Sequence, residues 1–170
     1  MKTKKRALAT VIIFIVFFLL FAMWYKYEYS MDKVSPYEIN SPDLNSKFVI
    51  ATQGSEFKDE VTKEVINYYK GDSIYIKVID ISMLPEIEPA NYKVILLIHT
   101  WENWKPPIQI ETFINRTKEF RGKVIVLTTS GKGTFKMKDV DAITGESKLE
   151  NAKPISKQVI EKLEQVFKNK

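Results

Sequence analysis

The feature that most restricts how this chain can fold is an uncharged, apolar run over residues 7–25. In a helix, at 1.5 Å per residue, the run would be about 29 Å long, which is close to the thickness of the hydrocarbon core of a bilayer. The sequence therefore predicts an N-terminal transmembrane helix ahead of a longer polar and mixed sequence, with the lipid bilayer as the partner of residues 7–25.

Charge on the two flanks of this run predicts its orientation. Four basic residues precede it, whereas basic and acidic residues are mixed after it. By the positive-inside rule, the N-terminus would stay in the cytoplasm and the globular domain would lie outside a cell membrane crossed once. The predicted organisation is a basic cytoplasmic flank at 1–6, a transmembrane helix at 7–25, a linker at 26–46 and one α/β domain at 47–170.

A cleaved signal peptide is the alternative interpretation of the same N-terminus. The apolar run is longer than the usual core of a signal peptide. In addition, the bulky residues Met23, Trp24 and Tyr25 follow Ala22, where a cleavage site would need small residues. These two observations favour an anchor that is retained.

Composition excludes several functions. The chain has no cysteine and one histidine, His99, so disulfides, thiol chemistry and a structural zinc site are not expected. The formal net charge of +5 comes largely from the first six residues, and the domain has no basic stripe of the kind that binds nucleic acid.

Apolar runs alternate with helical periodicity along the domain. Runs rich in branched residues predict strands at 47–52, 73–80, 93–99 and 123–129. Apolar residues at helical spacing predict helices at about 57–69, 108–120 and 155–167. This alternation favours a three-layer α/β fold with a doubly wound parallel sheet, in which ligands bind beyond the carboxyl ends of the strands.

Three segments that end strands carry the strongest resemblance to a known family. The chain reads Tyr-Lys-Val-Ile-Leu-Leu-Ile-His-Thr-Trp over 92–101, Pro-Pro at 106–107, and Gly-Lys-Val-Ile-Val-Leu-Thr-Thr-Ser-Gly over 122–131. This set resembles flavodoxins and flavodoxin-like oxidoreductases. The resemblance implies a sheet of five strands in the order 2-1-3-4-5, which holds FMN without a covalent bond.

The same resemblance implies a set of cofactor-binding residues in three loops. A phosphate group would contact the first loop, the isoalloxazine ring the second, and a third loop would complete the site. These residues are Thr52, Gly54 and Ser55 in the first loop, Thr100, Trp101, Asn103 and Trp104 in the second, and Thr129, Ser130 and Gly131 in the third.

The first loop also departs from the family pattern. Glu56, Asp59 and Glu60 stand where a dianionic phosphate would bind, and only Lys58 offsets part of their charge. Two functions therefore remain open. One is FMN-dependent electron transfer or reduction at the outer membrane face, with an unknown redox or membrane-protein partner. The other is a cofactor-less flavodoxin-like module that binds or assembles with a membrane complex.

Three further residues have a structural and a chemical interpretation. Residues 141–147 resemble a short motif in which the last hydroxyl is esterified by FMN, and Ser147 holds that position; a turn followed by helix-capping residues is the simpler interpretation. His99 is expected to be a structural histidine rather than a base. Ser55 and Ser130 lack the Gly-x-Ser-x-Gly pattern of hydrolases, so loop hydroxyls are favoured.

Overall fold

The computed structural model describes residues 2–29 and 31–168, which form two compact units, Met1–Met31 and Asp32–Lys170. In the first unit, helix α1 runs over Lys2–Tyr29, and its large apolar side chains between Leu8 and Trp24 are exposed. Among the residues described, no helix is both long and apolar enough to cross a bilayer. The transmembrane helix expected at 7–25 therefore finds no support in the structure.

The second unit is built on a six-stranded sheet. Its strands, in chain order, are β1 (Tyr37–Ile39), β2 (Ser46–Thr52), β3 (Ile74–Asp80), β4 (Val94–Thr100), β5 (Val124–Thr129) and β6 (Ala142–Gly145). They lie in the order β1-β3-β2-β4-β5-β6, and β2 to β6 are mutually parallel. The five parallel strands thus have the 2-1-3-4-5 order of a doubly wound flavodoxin-like sheet.

Helices cover both faces of this sheet. Helices α2 (Glu56–Tyr69) and α4 (Ala152–Lys168) contribute Val61, Val65 and Leu163 to one apolar cluster with β2, β3 and β4. Helix α3 (Ile108–Arg116) packs Ile110 and Phe113 against the other face. Burial on both faces explains why the central strands are apolar throughout rather than alternating.

Part of the predicted linker belongs to the sheet. Strand β1 lies within 26–46 and pairs with β3 in antiparallel register, so the sheet is mixed rather than wholly parallel. The Asn40 side chain donates to the Ile74 carbonyl at 2.8 Å, and the Val34 N–H donates to Asp80 Oδ2 at 3.1 Å. Polar residues that suggested a tether instead satisfy the edge of β3, where backbone groups need partners.

Two other segments differ from the sequence-based expectation. Helix α3 ends at Arg116, and a 3₁₀ segment over Lys118–Lys123 leads into β5. The motif at 141–147, for which a turn was the simpler interpretation, contains strand β6. Pairing with β5 at four positions provides the hydrogen bonds that make this short segment extended.

Candidate functional site

The carboxyl ends of the parallel strands bring three hydroxyl groups together. Thr100 Oγ1 and Thr129 Oγ1 are 2.7 Å apart, and Ser147 Oγ donates to Thr129 Oγ1 at 2.7 Å. These residues, here called the hydroxyl cluster, follow or end β4, β5 and β6. Thr129 is fully buried, whereas Ser147 is exposed. The cluster therefore joins two predicted site residues to Ser147 and reaches solvent at one end.

A buried histidine lies beneath this edge. His99 in β4 is fully buried, and its Nε2 is 3.0 Å from Thr128 Oγ1 in β5. Its Nδ1 has no hydrogen-bond partner among the residues described. Burial, with a smaller effect of the nearby Lys58 charge, lowers the pKa of His99 to about 4, although the backbone at Thr100 acts in the opposite direction. The imidazole is therefore neutral at pH 7.

An aromatic group projects from the loop after β4. Trp101 and Trp104 both lie against Phe135. The distance to the Phe135 ring centroid is 5.5 Å from the Trp101 ring and 5.9 Å from the Trp104 ring. Trp104 is 80% exposed, whereas Trp101 is half-buried. We call Trp101, Trp104 and Phe135 the aromatic cluster. A flat ring could stack on it, since aromatic faces prefer offset or tilted contacts.

The turn that carries Trp104 is conformationally unusual. Glu102 and Lys105 form an antiparallel bridge, and the two residues between them, Asn103 and Trp104, have φ of 50° and 65°. Positive φ at both central residues is the geometry of a type I′ turn, for which Asn-Gly is favoured. A tryptophan in this region costs about 1–2 kcal/mol relative to glycine. The chain thus holds an exposed ring in a strained turn.

Gln53, which no sequence motif singles out, links the loops after β2 and β4. Its Nε2 donates to Glu102 Oε1 at 2.7 Å, and its Oε1 accepts from the Thr100 N–H at 2.8 Å. Gln53 is buried. Thr52, which was expected to face a phosphate, is also buried and donates its hydroxyl to the Gln53 carbonyl.

The first loop is closed by the chain itself. The Gly54 N–H donates to the Asp32 carbonyl at 2.8 Å, and the two residues form an isolated antiparallel bridge. A Cβ on Gly54 would lie 2.9 Å from both Cβ and the carbonyl oxygen of Asp32. The close approach explains the glycine. It also means that this N–H, a candidate phosphate donor, already has an acceptor.

Ser55 begins helix α2 as its N-cap. Its Oγ accepts from the Lys58 N–H at 3.4 Å and from the Lys58 ammonium group at 3.2 Å. Lys58 is fully buried. Desolvation lowers its pKa to about 8, against the opposing effects of Glu102 and Asp59. From the sequence, Lys58 is expected only to offset part of the charge of its acidic neighbours, and nothing in its spacing predicts a buried ammonium group.

Acidic side chains surround the same loop. Burial raises the pKa of the Asp59 carboxyl; Lys58 lowers it and Asp32 raises it further. Asp32, Asp59 and Glu102 would each repel an approaching dianion. The residues of the first loop therefore do not fit a phosphate dianion, because the Gly54 N–H is already bonded to Asp32 and three carboxylates lie near the loop.

The third loop is held mainly by backbone contacts. The Ser130 N–H donates to the Gly145 carbonyl at 3.1 Å, and Ser130 Oγ accepts from the Phe135 N–H at 3.4 Å. Gly131 is exposed, and the backbone turns at Gly133, with φ of 64°. Ser130 thus supports the loop that positions Phe135, which is consistent with its interpretation as a loop hydroxyl.

Two cavities lie elsewhere in the domain. One, of about 360 Å³, lies beside β5 and is bordered by Arg121 and Lys162. The other, of about 350 Å³, lies next to α3 and is bordered by Thr112 and Arg116. The predicted cofactor-binding residues line neither of them. Over residues 2–29 and 31–168, no group of three or more potential metal ligands is present.

No family model matches this chain, and no curated protein matches it. Several solved structures are similar to this chain, including the following two. A flavodoxin from the domain Archaea is 12% identical, with a TM-score of 0.46, over 71% of this chain and 98% of that one. A mutant flavo di-iron protein from Thermotoga maritima is 13% identical, with a TM-score of 0.44, over 74% of this chain and 36% of that one. The flavodoxin-like fold rests on strand order and register, not on these values.

Proposed function

We propose that residues 32–168 form a flavodoxin-like binding module that does not hold FMN through its first loop. The observation that carries this proposal is the contact between Gly54 and Asp32, because it uses the loop N–H and fills the space beside it. The charge of the buried Lys58 ammonium group is already offset by the nearby carboxylates of Glu102 and Asp59. This is the cofactor-less alternative that the acidic first loop suggested.

Equilibrium binding tests the proposal directly. The purified full-length chain would be titrated with FMN and, separately, with riboflavin, while flavin fluorescence is followed. We expect FMN to bind no more tightly than riboflavin, because the Gly54 N–H is already bonded and the carboxylates of Asp32, Asp59 and Glu102 repel the phosphate. FMN that binds at least about tenfold more tightly, corresponding to about 1.4 kcal/mol, would contradict the proposal.

A second candidate function is electron transfer by a flavin held through its ring. The exposed Trp104 ring and the hydroxyl cluster support it, because together they offer a stacking surface beside hydrogen-bonding groups. Trp104→Ala should weaken riboflavin binding if the ring stacks there. An exposed tryptophan on the other unit, Trp24, provides the matched control Trp24→Ala.

Covalent attachment of FMN at Ser147 is a variant of the same candidate. Support comes from the position of Ser147 at the exposed end of the hydroxyl cluster, where its Oγ donates to Thr129. Intact-mass measurement of the chain isolated from its native cells would detect the adduct. Absence of the adduct, or its persistence in Ser147→Ala, would contradict attachment at this position.

We also propose that the first unit associates with a lipid bilayer, with the N-terminus on the cytoplasmic side. This rests on the uncharged run at 7–25 and on the exposed apolar side chains between Leu8 and Trp24. Fractionation of cells that express the full chain, and the same chain with Phe14 and Phe18 changed to Lys, tests it. Equal recovery of both chains in the membrane fraction would contradict the proposal.

A further inference from the structure

We propose that Ser55 and Lys58 form a nucleophile–base pair that accepts acyl groups from ester substrates. Lys58 Nζ lies 3.2 Å from Ser55 Oγ, within the range in which a base takes a proton from a hydroxyl. The two residues are three apart at the start of α2, the Ser-x-x-Lys spacing in which a lysine can activate a serine. This activity goes beyond the binding function proposed above.

The helix start explains why the two side chains meet. Ser55 has extended backbone angles, φ −171° and ψ 153°, and caps the helix through the Lys58 N–H. Residues three apart lie on the same face of a helix, so the Lys58 side chain folds back over the cap. Lys58 is fully buried and Ser55 half-buried. The base is therefore shielded from water while the nucleophile remains partly accessible.

The charge of Lys58 decides whether it can act as a base. Among the groups that interact with it are the carboxylates of Glu102 and Asp59, which favour the ammonium form, and His99, which is neutral at pH 7. Burial outweighs the two carboxylates and lowers the pKa of Lys58 to about 8. About a tenth of the molecules then carry the neutral amine at pH 7, against well under a thousandth for an exposed lysine.

The first turn of α2 offers donors for the negative charge that develops during acyl transfer. The N–H groups of Glu56 and Phe57 occupy the first two helical positions, which have no carbonyl partner four residues earlier inside the helix. They also stand at the positive end of the helix dipole. An oxyanion formed next to Ser55 Oγ would be stabilised by such donors.

The proposed reaction balances with water as the only co-reactant. Ser55 Oγ forms a bond to the ester carbonyl carbon while neutral Lys58 takes the hydroxyl proton. The C–O bond to the alcohol then breaks, and Lys58 returns the proton to the departing oxygen. Water adds to the acyl-serine, Lys58 takes its proton and passes it to Ser55 Oγ, and the carboxylic acid leaves.

A fluorophosphonate probe tests the pair without a known substrate. The serine oxygen attacks phosphorus, fluoride leaves and the proton goes to Lys58, so a stable phosphonyl-serine remains. The full-length chain would be treated with the probe, digested, and the labelled peptide identified by mass spectrometry. We expect the label on Ser55, with a rate that rises with pH and levels off above about 8.

Two variants separate reactivity from helix capping. Ser55→Asn keeps a good cap but removes the nucleophile, so the label should disappear while the helix content by circular dichroism is unchanged. Lys58→Met keeps the volume and apolar stem, and should slow labelling about 100-fold or more. Lys63→Met, at an exposed position of the same helix, is the matched control and should label at the parent rate.

Three results would overturn the proposal. The first is a label on any residue other than Ser55, or no label with a large excess of probe. The second is labelling of Ser55 in Lys58→Met at the parent rate. The third is a rate in the unmodified chain that follows hydroxide concentration with no plateau above pH 8, and this measurement does not require any variant to fold. The flavin titrations are unaffected by these outcomes, so the two proposals fail separately.

Discussion

The loop after β2 and the loops after β4 and β5 lie at the same edge of the sheet, but they differ in what they leave accessible. The first is closed by Asp32 against Gly54 and contains the buried ammonium group of Lys58. The others carry hydroxyls and present Trp104 to solvent. A doubly wound sheet places several loops at one edge, but each loop needs its own side chains to become a binding surface.

The closed first loop and the exposed turn also differ in the source of their energetic cost. The closed loop contains a titratable group whose charged state is disfavoured by burial, and His99 under the neighbouring strands has the same property. The exposed turn contains backbone strain at Asn103 and Trp104 instead. Both regions therefore lower the free energy of unfolding. The buried titratable groups do so through desolvation, and the exposed turn does so through its unfavourable backbone angles. Such costs are frequent at functional sites.

The largest expected effect concerns His99 and tests whether the edge beneath the hydroxyl cluster must stay uncharged. The pKa of His99 is about 4 in the folded state and 6.5 as a free side chain. Because the folded-state value is lower, the unfolded chain binds more protons between these pH values. The contribution of His99 is therefore present above pH 6.5 and is lost as the pH falls to 4, by about 3 kcal/mol.

Urea unfolding of the parent chain and of His99→Gln from pH 4 to 7.5 measures this loss. Gln keeps a polar group for Thr128 but does not titrate, so its free energy of unfolding should fall less steeply over this interval. The carboxyl groups are common to both chains and cancel in the difference. Parallel pH dependences would show that His99 is not buried as a neutral ring.

Gly54→Ala tests how tightly the first loop is closed. The new Cβ would lie 2.9 Å from Asp32 Cβ and from the Asp32 carbonyl oxygen, so the loop or the segment at 32 must move. We expect a loss of about 2 kcal/mol in the free energy of unfolding. Gly71→Ala is the matched control, since its Cβ would meet nothing within 4 Å.

Denaturation curves of both variants provide the comparison. A loss of less than about 0.5 kcal/mol in Gly54→Ala, equal to that in the control, would mean that the segment at 32 yields easily. The first loop could then open to an anion, and the contrast between the two regions would disappear.

Lys58→Met measures what the buried ammonium group costs. Replacing a buried charge with an apolar side chain of similar volume should raise the free energy of unfolding by about 1.5 kcal/mol at pH 7. The folded-state pKa, about 8, lies below the unfolded value of 10.5, so the parent chain gains stability as pH rises between them. The advantage of the Met variant should shrink over the same interval.

Unfolding at pH 7 and at pH 10 separates this effect from simple packing. Lys63→Met, on the exposed side of α2, should change stability little at either pH. A Lys58→Met chain that is less stable than the parent at pH 7 would show that the contacts to Ser55 and the nearby carboxylates outweigh desolvation. Lys58 would then be structural in the first loop.

Much of the fold follows from local sequence, whereas the site does not. The runs at 47–52 and 93–99 predict β2 and β4 to within one residue because both faces are buried and the pattern is strong. Strand β1 has three residues and depends on pairing with β3, which no local pattern specifies. The same applies to Ser147, whose contact with Thr129 joins residues 18 apart.

Closure of the first loop was also outside the reach of sequence patterns. Acidic residues after Ser55 argued against a phosphate, but the backbone contact between Asp32 and Gly54 depends on the path of a segment that reads as polar and irregular. Likewise, Asn103 was expected to border a flat ring, and its positive φ depends on the bridge between Glu102 and Lys105. Long-range backbone geometry decides both features.

The smallest expected effect tests the strain in the exposed turn. At Trp104, φ is 65°, which glycine adopts freely and a residue with a Cβ does not. Trp104→Gly and Trp104→Ala both remove the ring and its contact with Phe135, so their difference isolates the backbone. We expect the Gly variant to be about 1 kcal/mol more stable than the Ala variant. At the helical position Lys63 the same pair of substitutions should favour Ala by a similar amount.

Thermal unfolding of the four variants measures the two differences. If Ala is equal or better at position 104 as well, the turn relaxes when the ring is gone, and the strain belongs to the tryptophan side chain rather than to the backbone. A Gly advantage would mean that the bridge between Glu102 and Lys105 enforces the conformation, and that the chain keeps tryptophan there for what its exposed ring contacts.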